Sequence, residues 1–272
     1  MSGGGFTDGL LLSVGTFSAV RVPPPRDVNN RTVRWSLILA PLVGAGISFV
    51  AGGVGWIGWW LAGQMDNRTM LVAVVAAWLV VGALVWSTRG LHLDGLADLT
   101  DGLGSGRSAA DAIEAMRDPR IGAFGAIALV VVLGAQAASV AVLIERGTVL
   151  PALVAVGIAA RAPLAWWARR GTPASTDGLG RSVVGAFGPM AAGVLMVTWL
   201  VVAVGVAAAW IGMGGGGVSV PVAVVTIGLG VGLAAVVRRR AIRRLEALTG
   251  DTLGATIEAA ATAMLVVLAL AG

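Results

Sequence analysis

Seven long apolar runs leave this chain few ways to fold. They lie at roughly 35–62, 69–88, 121–144, 149–168, 186–211, 218–237 and 253–270. A run of about 20 apolar residues is long enough to cross the hydrocarbon core of a bilayer as an α-helix. In lipid, every backbone N–H and C=O must find its partner inside the protein, so runs of this length become helices. The whole chain is 57% hydrophobic, with a mean hydropathy of +0.89. The sequence therefore predicts one all-α, polytopic membrane domain over residues 1–272, with about seven transmembrane helices. Residues 1–33 stand apart. Their apolar stretch, Leu10 to Val20, is too short to span, and VPPPR follows as a stiff extended break. That segment is expected at the interface.

Charge gives the orientation. All nineteen basic residues are arginine. With the N-terminus inside, seventeen arginines fall on the inner segments, and only Arg68 and Arg146 fall outside. That asymmetry is a positive-inside signal. It predicts a multi-pass protein of the cell membrane with residues 89–120, 169–182 and 238–251 on the cytoplasmic side. A pI near 11.4 would suggest nucleic acid in a soluble chain. Here the arginines mark a membrane face, so the expected partner is the lipid bilayer and not nucleic acid. The chain has no cysteine and no lysine, which excludes disulfides, thiolate chemistry and lysine Schiff bases. No basic residue precedes the first apolar stretch, so it does not read as a cleaved signal peptide. The sequence leaves the oligomeric state open, a homo-oligomer included.

Against this background, residues 89–125 are unusual. They hold six of the fourteen acids, the only histidine and four arginines. On a helix, Asp94, Asp98 and Asp101 share one face. Asp111, Glu114 and Asp118 share a face of a second helix, which Pro119 is expected to stop. GLGSG, 102–106, makes the turn between them. The prediction is an acidic helical hairpin. Like charges at i, i+4 repel, and a bound divalent cation removes the conflict. The competing reading is a solvated acidic face. Leucines 91, 93, 96, 99 and 103, interleaved with the acids, favour a packed helix. His92 has two readings, general base or packing at the end of the second span.

Three further features carry chemistry. Arg161 lies inside the fourth span, where it either snorkels to the headgroups or clamps a phosphate. Arg181, in the 169–182 loop, has the same two readings. Thr249 and Asp251 sit where a loop meets the last span, as helix caps or ligands. Glu258 follows Asp251 by two turns on the same side, with Arg161 or the metal site as its expected partner.

HLDGLAD at 92–98, MRDPRIGAFG at 116–125 and TGDTLGA at 249–255, in this order, resemble the cobalamin synthase, or adenosylcobinamide-GDP ribazoletransferase, family. The likeness runs from the VPPP segment to Glu258. It implies integral membrane enzymes of the last steps of cobalamin biosynthesis. These join adenosylcobinamide-GDP to α-ribazole, or to its 5′-phosphate, and release GMP with Mg²⁺ as cofactor. On this chain it implies a metal site built from Asp94, Asp98, Asp101, Glu114 and Asp118. His92, Asp94, Asp98 and Asp101 become candidate catalytic residues. Arg107, Arg117, Arg161, Arg181, Thr249, Asp251 and Glu258 become candidate substrate-binding residues. Two other classes stay open. The Asp98-x-x-Asp101-Gly102 pattern resembles the opening of the CDP-alcohol phosphotransferase motif, and a cation-coupled transporter would also use carboxylates.

Overall fold

The computed structural model describes residues 4–104, 106, 108–169, 183–212 and 219–271. Among them every regular element is a helix. Helix α1 is Gly4–Phe17, α2 Asn30–Gln64, α3 Met70–Thr88, α4 Leu91–Gly104, α5 Ala109–Ala115 and α6 Ala123–Glu145. Then come α7, Val149–Arg161, and α8, Leu164–Ala168. The last three are α9, Pro189–Gly212, α10, Val220–Leu245, and α11, Gly250–Leu270. Among the described residues seven stretches are long and apolar enough to cross a membrane: α2, α3, α6, α7 with α8, α9, α10 and α11. Pro163 interrupts the fourth of these, since proline gives no N–H to the ladder.

The boundaries follow local chemistry. Asn29 accepts from the N–H groups of Arg31 and Thr32, so α2 starts before its apolar run does. Thr69 caps α3, and Thr249 caps α11. At the end of α3 the chain turns through Arg89 and Gly90, with φ of 56° and 68°. This left-handed pair re-aims the chain into α4. The short apolar N-terminal stretch forms α1, which packs on α2. Arg89 donates to the Gly15 carbonyl and Ala19 N–H to the Ser87 carbonyl, so α1 is tied to the end of α3. α10 continues past its apolar run to Leu245. Its buried Ala241 and Leu245 join Leu96, Leu99, Ala112 and Met116 in a small second core. The main core lies among α2, α3, α6, α7 and α11. α9 is peripheral and buries only Ala192 and Ala203. At bilayer depth, lipid covers such a face.

Candidate active site

Two stretches far apart in sequence meet at one end of the bundle. α4 crosses the first turns of α11 with no side chain between the backbones at Gly95. A Cβ on Gly95 would stand 2.8 Å from the Asp251 Cα and 2.9 Å from its carbonyl oxygen. Gly254 faces the His92 backbone in the same way, at 3.3 Å. Glycine at these positions lets the two backbones approach closely. The crossing carries Asp94 and Asp98 of α4 to the N-terminus of α11, where Asp251 stands. Asp98 is half-buried, and its carboxyl is pushed up to about 6. Burial is the first cause, followed by the negative charges of Asp94, Asp251 and Asp101. Among the described residues no arginine lies within ion-pair distance of Asp94, Asp98 or Asp251.

The other expected ligands have different surroundings. Asp101 accepts the Gly122 N–H at 2.8 Å on one oxygen and the Gly125 N–H at 2.9 Å on the other. It caps α6, which ties α4 to that span. Glu114 is exposed on α5. α5 ends at Ala115, so the stripe of Asp111, Glu114 and Asp118 does not form on one helix. The residue before Pro119 is driven out of helical geometry, and Asp118 instead takes Arg120 in a bidentate pair at 3.0 and 2.8 Å. That pair holds its carboxyl down at about 2. Among the described residues no three acids or histidines are gathered closely enough to ligate one ion by themselves.

A groove of about 730 Å³ runs beside α4. Asp94, Asp98, Arg117, Asp118 and Arg89 line its polar end. Arg89 is absent from the sequence-derived set. Its signal is the Arg-Gly pair directly before the acidic helix.

His92, Arg161 and Glu258 lie elsewhere, in a buried chamber of about 60 Å³ between α2, α3, α4, α6, α7 and α11. The His92 Nδ1 is 4.0 Å from the Glu258 carboxylate. Gln136 donates to Glu258 at 2.8 Å and to Thr262 at 2.9 Å. Arg161 donates to the Gly157 carbonyl at 3.2 Å and lines the same chamber as Glu258. Arg161 thus faces inward, as does Glu258, but among the described residues the direct partner of Glu258 is Gln136, and Arg161 lies beyond ion-pair distance. Burial, then the Arg161 charge, hold the His92 ring well below the ordinary imidazole value. A lone amide in an apolar span is the signal that marks Gln136. Arg107 and Arg181 lie outside the described residues.

The chamber yields an expectation for stability. Arg161→Ala removes a positive charge from the chamber that holds the buried Glu258 carboxylate and should lower the unfolding temperature. Adding Glu258→Gln removes the stranded charge. The double variant should therefore unfold at a higher temperature than Arg161→Ala alone. Purely additive losses would show the two side chains to be uncoupled.

A family model described as cobalamin-5-phosphate synthase matches residues 9–269. An adenosylcobinamide-GDP ribazoletransferase from Nocardioides sp. is 32% identical, over 95% of this chain and 96% of its own length. Proteins of the same name from Frankia casuarinae and Sinorhizobium medicae are 38% and 34% identical. The first covers 90% of this chain and 88% of its own length, the second 73% and 74%. No solved structure matches.

Proposed function

The chain belongs to the cobalamin-5-phosphate synthase family, and on that premise we propose that its transfer reaction takes place at the polar end of the groove beside α4. The activity is adenosylcobinamide-GDP ribazoletransferase, an enzymatic step of cobalamin synthesis. The donor is a diphosphate ester. A ribose hydroxyl of α-ribazole, or of its 5′-phosphate, attacks the phosphorus nearer the cobinamide. A new P–O bond forms there, the P–O bond to the leaving GMP breaks, and the hydroxyl gives up its proton.

One observation carries the reading. The crossing at Gly95 brings Asp251 of one motif into the electrostatic field of Asp98, which belongs to a distant motif and lines the groove. The donor set fits a divalent cation in kind, since these are hard carboxylate oxygens without arginine partners among the described residues. It also fits in number, because Mg²⁺ commonly takes one or two carboxylates and completes its shell with phosphate oxygens and water. Asp98 and Asp251 would hold Mg²⁺, which supplies charge neutralisation on the phosphates and the leaving group. Asp94 is the exposed one of the three, and it accepts the hydroxyl proton. Arg117 and Arg89, on the groove wall, bind phosphate oxygens. Asp101 sets the position of α4 against α6.

The deciding assay uses purified protein with adenosylcobinamide-GDP, α-ribazole and Mg²⁺. GMP release with formation of the joined cobamide is expected. Release of CMP from a CDP-alcohol instead would transfer the site to lipid chemistry.

The arginine asymmetry supports a cytoplasmic placement of this end of the bundle. With no native cysteine, labelling is clean. Ala110→Cys, exposed on α5, should react with an impermeant maleimide only after the cells are opened, and Asn67→Cys in intact cells. The reverse pattern would invert the topology.

A further inference from the structure

The groove does not stop at its carboxylates. Beyond Asp94 and Asp98 it continues between α3 and α6, where Val85, Ile121, Leu129 and Leu133 line it. Leu129 and Leu133 are one turn apart on the same face of α6, and Leu133 lies roughly 15 Å along that helix from its start. The same space is thus charged at one end and apolar at the other, and its apolar arm lies inside a membrane-spanning segment. We propose that this arm is the acceptor's base site: the uncharged aromatic bicycle of α-ribazole lies between α3 and α6, with its ribose at Asp94 and Asp98.

The inference rests on the transferase reading and goes beyond it by assigning a subsite. The donor's phosphates need the charged end, where cation, Arg117 and Arg89 meet them. The cobinamide is far larger than the groove and stays outside it. The acceptor hydroxyl must reach the phosphorus while its base stays attached a ribose away, and the space continuous with the carboxylates in that direction is apolar. A pocket lined by aliphatic side chains suits a flat, uncharged ring and offers nothing to a guanine, whose polar edges would go unpaired there. A lipid acyl chain is the competing occupant, but it has no reason to end at two carboxylates.

The test uses the full-length protein in lipid nanodiscs, with initial rates of GMP release measured against each substrate. Leu133→Trp fills the arm. The KM for α-ribazole should rise about tenfold or more, while the KM for adenosylcobinamide-GDP changes less than about twofold. The riboside of unmethylated benzimidazole, the same bicycle without its methyl groups, should be penalised less. Leu129→Ala, which widens the arm without bulk, should raise the acceptor KM about threefold to tenfold, and it serves if the tryptophan variant does not fold. An unchanged acceptor KM in the folded variants, or donor and acceptor KM rising together, overturns the assignment. So does an unchanged acceptor KM accompanied by loss of a copurifying lipid, which gives the arm to an acyl chain. The activity itself is read first, on the unmodified protein. If that protein releases no GMP, the transferase reading has failed, and equilibrium dialysis of α-ribazole against the unmodified and Leu133→Trp proteins still decides the subsite.

Discussion

Asp98→Asn should lower turnover by two or more orders of magnitude while leaving the folded yield equal or higher. The substitution keeps the shape of the side chain and removes one negative charge from a group of mutually repelling acids. If Asp98 holds the cation, its loss weakens the charge that neutralises the phosphates, and the Mg²⁺ concentration for half-maximal rate should rise. The stability side has a definite sign. The Asp98 carboxyl stands at about 6 in the folded protein, above its ordinary 3.8. The folded state therefore binds the proton more tightly than the unfolded state does. The ionised form costs stability above pH 6, and that cost is relieved as pH falls from about 6 towards 4. Asp98→Asn should remove this pH dependence. A structural acid would behave the opposite way, with reduced yield and near-normal specific activity. Near-wild-type turnover at low Mg²⁺ would sink the assignment.

The second large effect is expected from a single methyl group. Gly95→Ala places a Cβ 2.8 Å from the backbone of Asp251, where no flexible side chain can move aside. Either α4 or α11 must shift. Overpacking of this kind costs roughly 1–3 kcal/mol. The functional loss should exceed the stability loss, because the shift separates Asp98 from Asp251, and displacements near 1 Å can cost about 100-fold in rate. Gly134→Ala on α6 is the control, since its Cβ would meet nothing within 4 Å. Equal activity of the two variants, measured by GMP release beside thermal unfolding, would show that the crossing does not set the site.

Much of the fold was legible because lipid imposes a simple rule on sequence. The seven spans lie within a few residues of their expected places, and the differences trace to caps at Asn29 and Thr249 and to the polar extension of α10. Helical spacing also placed Asp94, Asp98 and Asp101 on one helix correctly. What spacing cannot show is which acids meet. Asp251 joins Asp98 only through a backbone contact at Gly95, and a glycine's neighbour across a helix crossing leaves no periodic trace. The Asp111, Glu114 and Asp118 stripe assumed a helix that Asp118 leaves, because a local arginine and the following proline act on it more strongly than helix propensity. His92 and Arg161 were recognisable as out of place in an apolar chain. Their confinement to an inner chamber depends on the packing of six helices.

The clasp between Asp101 and the start of α6 has a further consequence, for the competition over phosphate. The N-terminus of a helix is a ready anion site, with free N–H groups and the positive end of the dipole. α6 begins next to the groove, and unguarded it would offer the donor's diphosphate a second berth. Asp101 already fills that berth with its own carboxylate, through the N–H groups of Gly122 and Gly125. An incoming phosphate meets a closed door there and settles where Arg117, Arg89 and the carboxylates of α4 and α11 await it. Asp101→Asn, by weakening that occupancy, would be expected to let the substrate bind in two registers, of which one is unproductive.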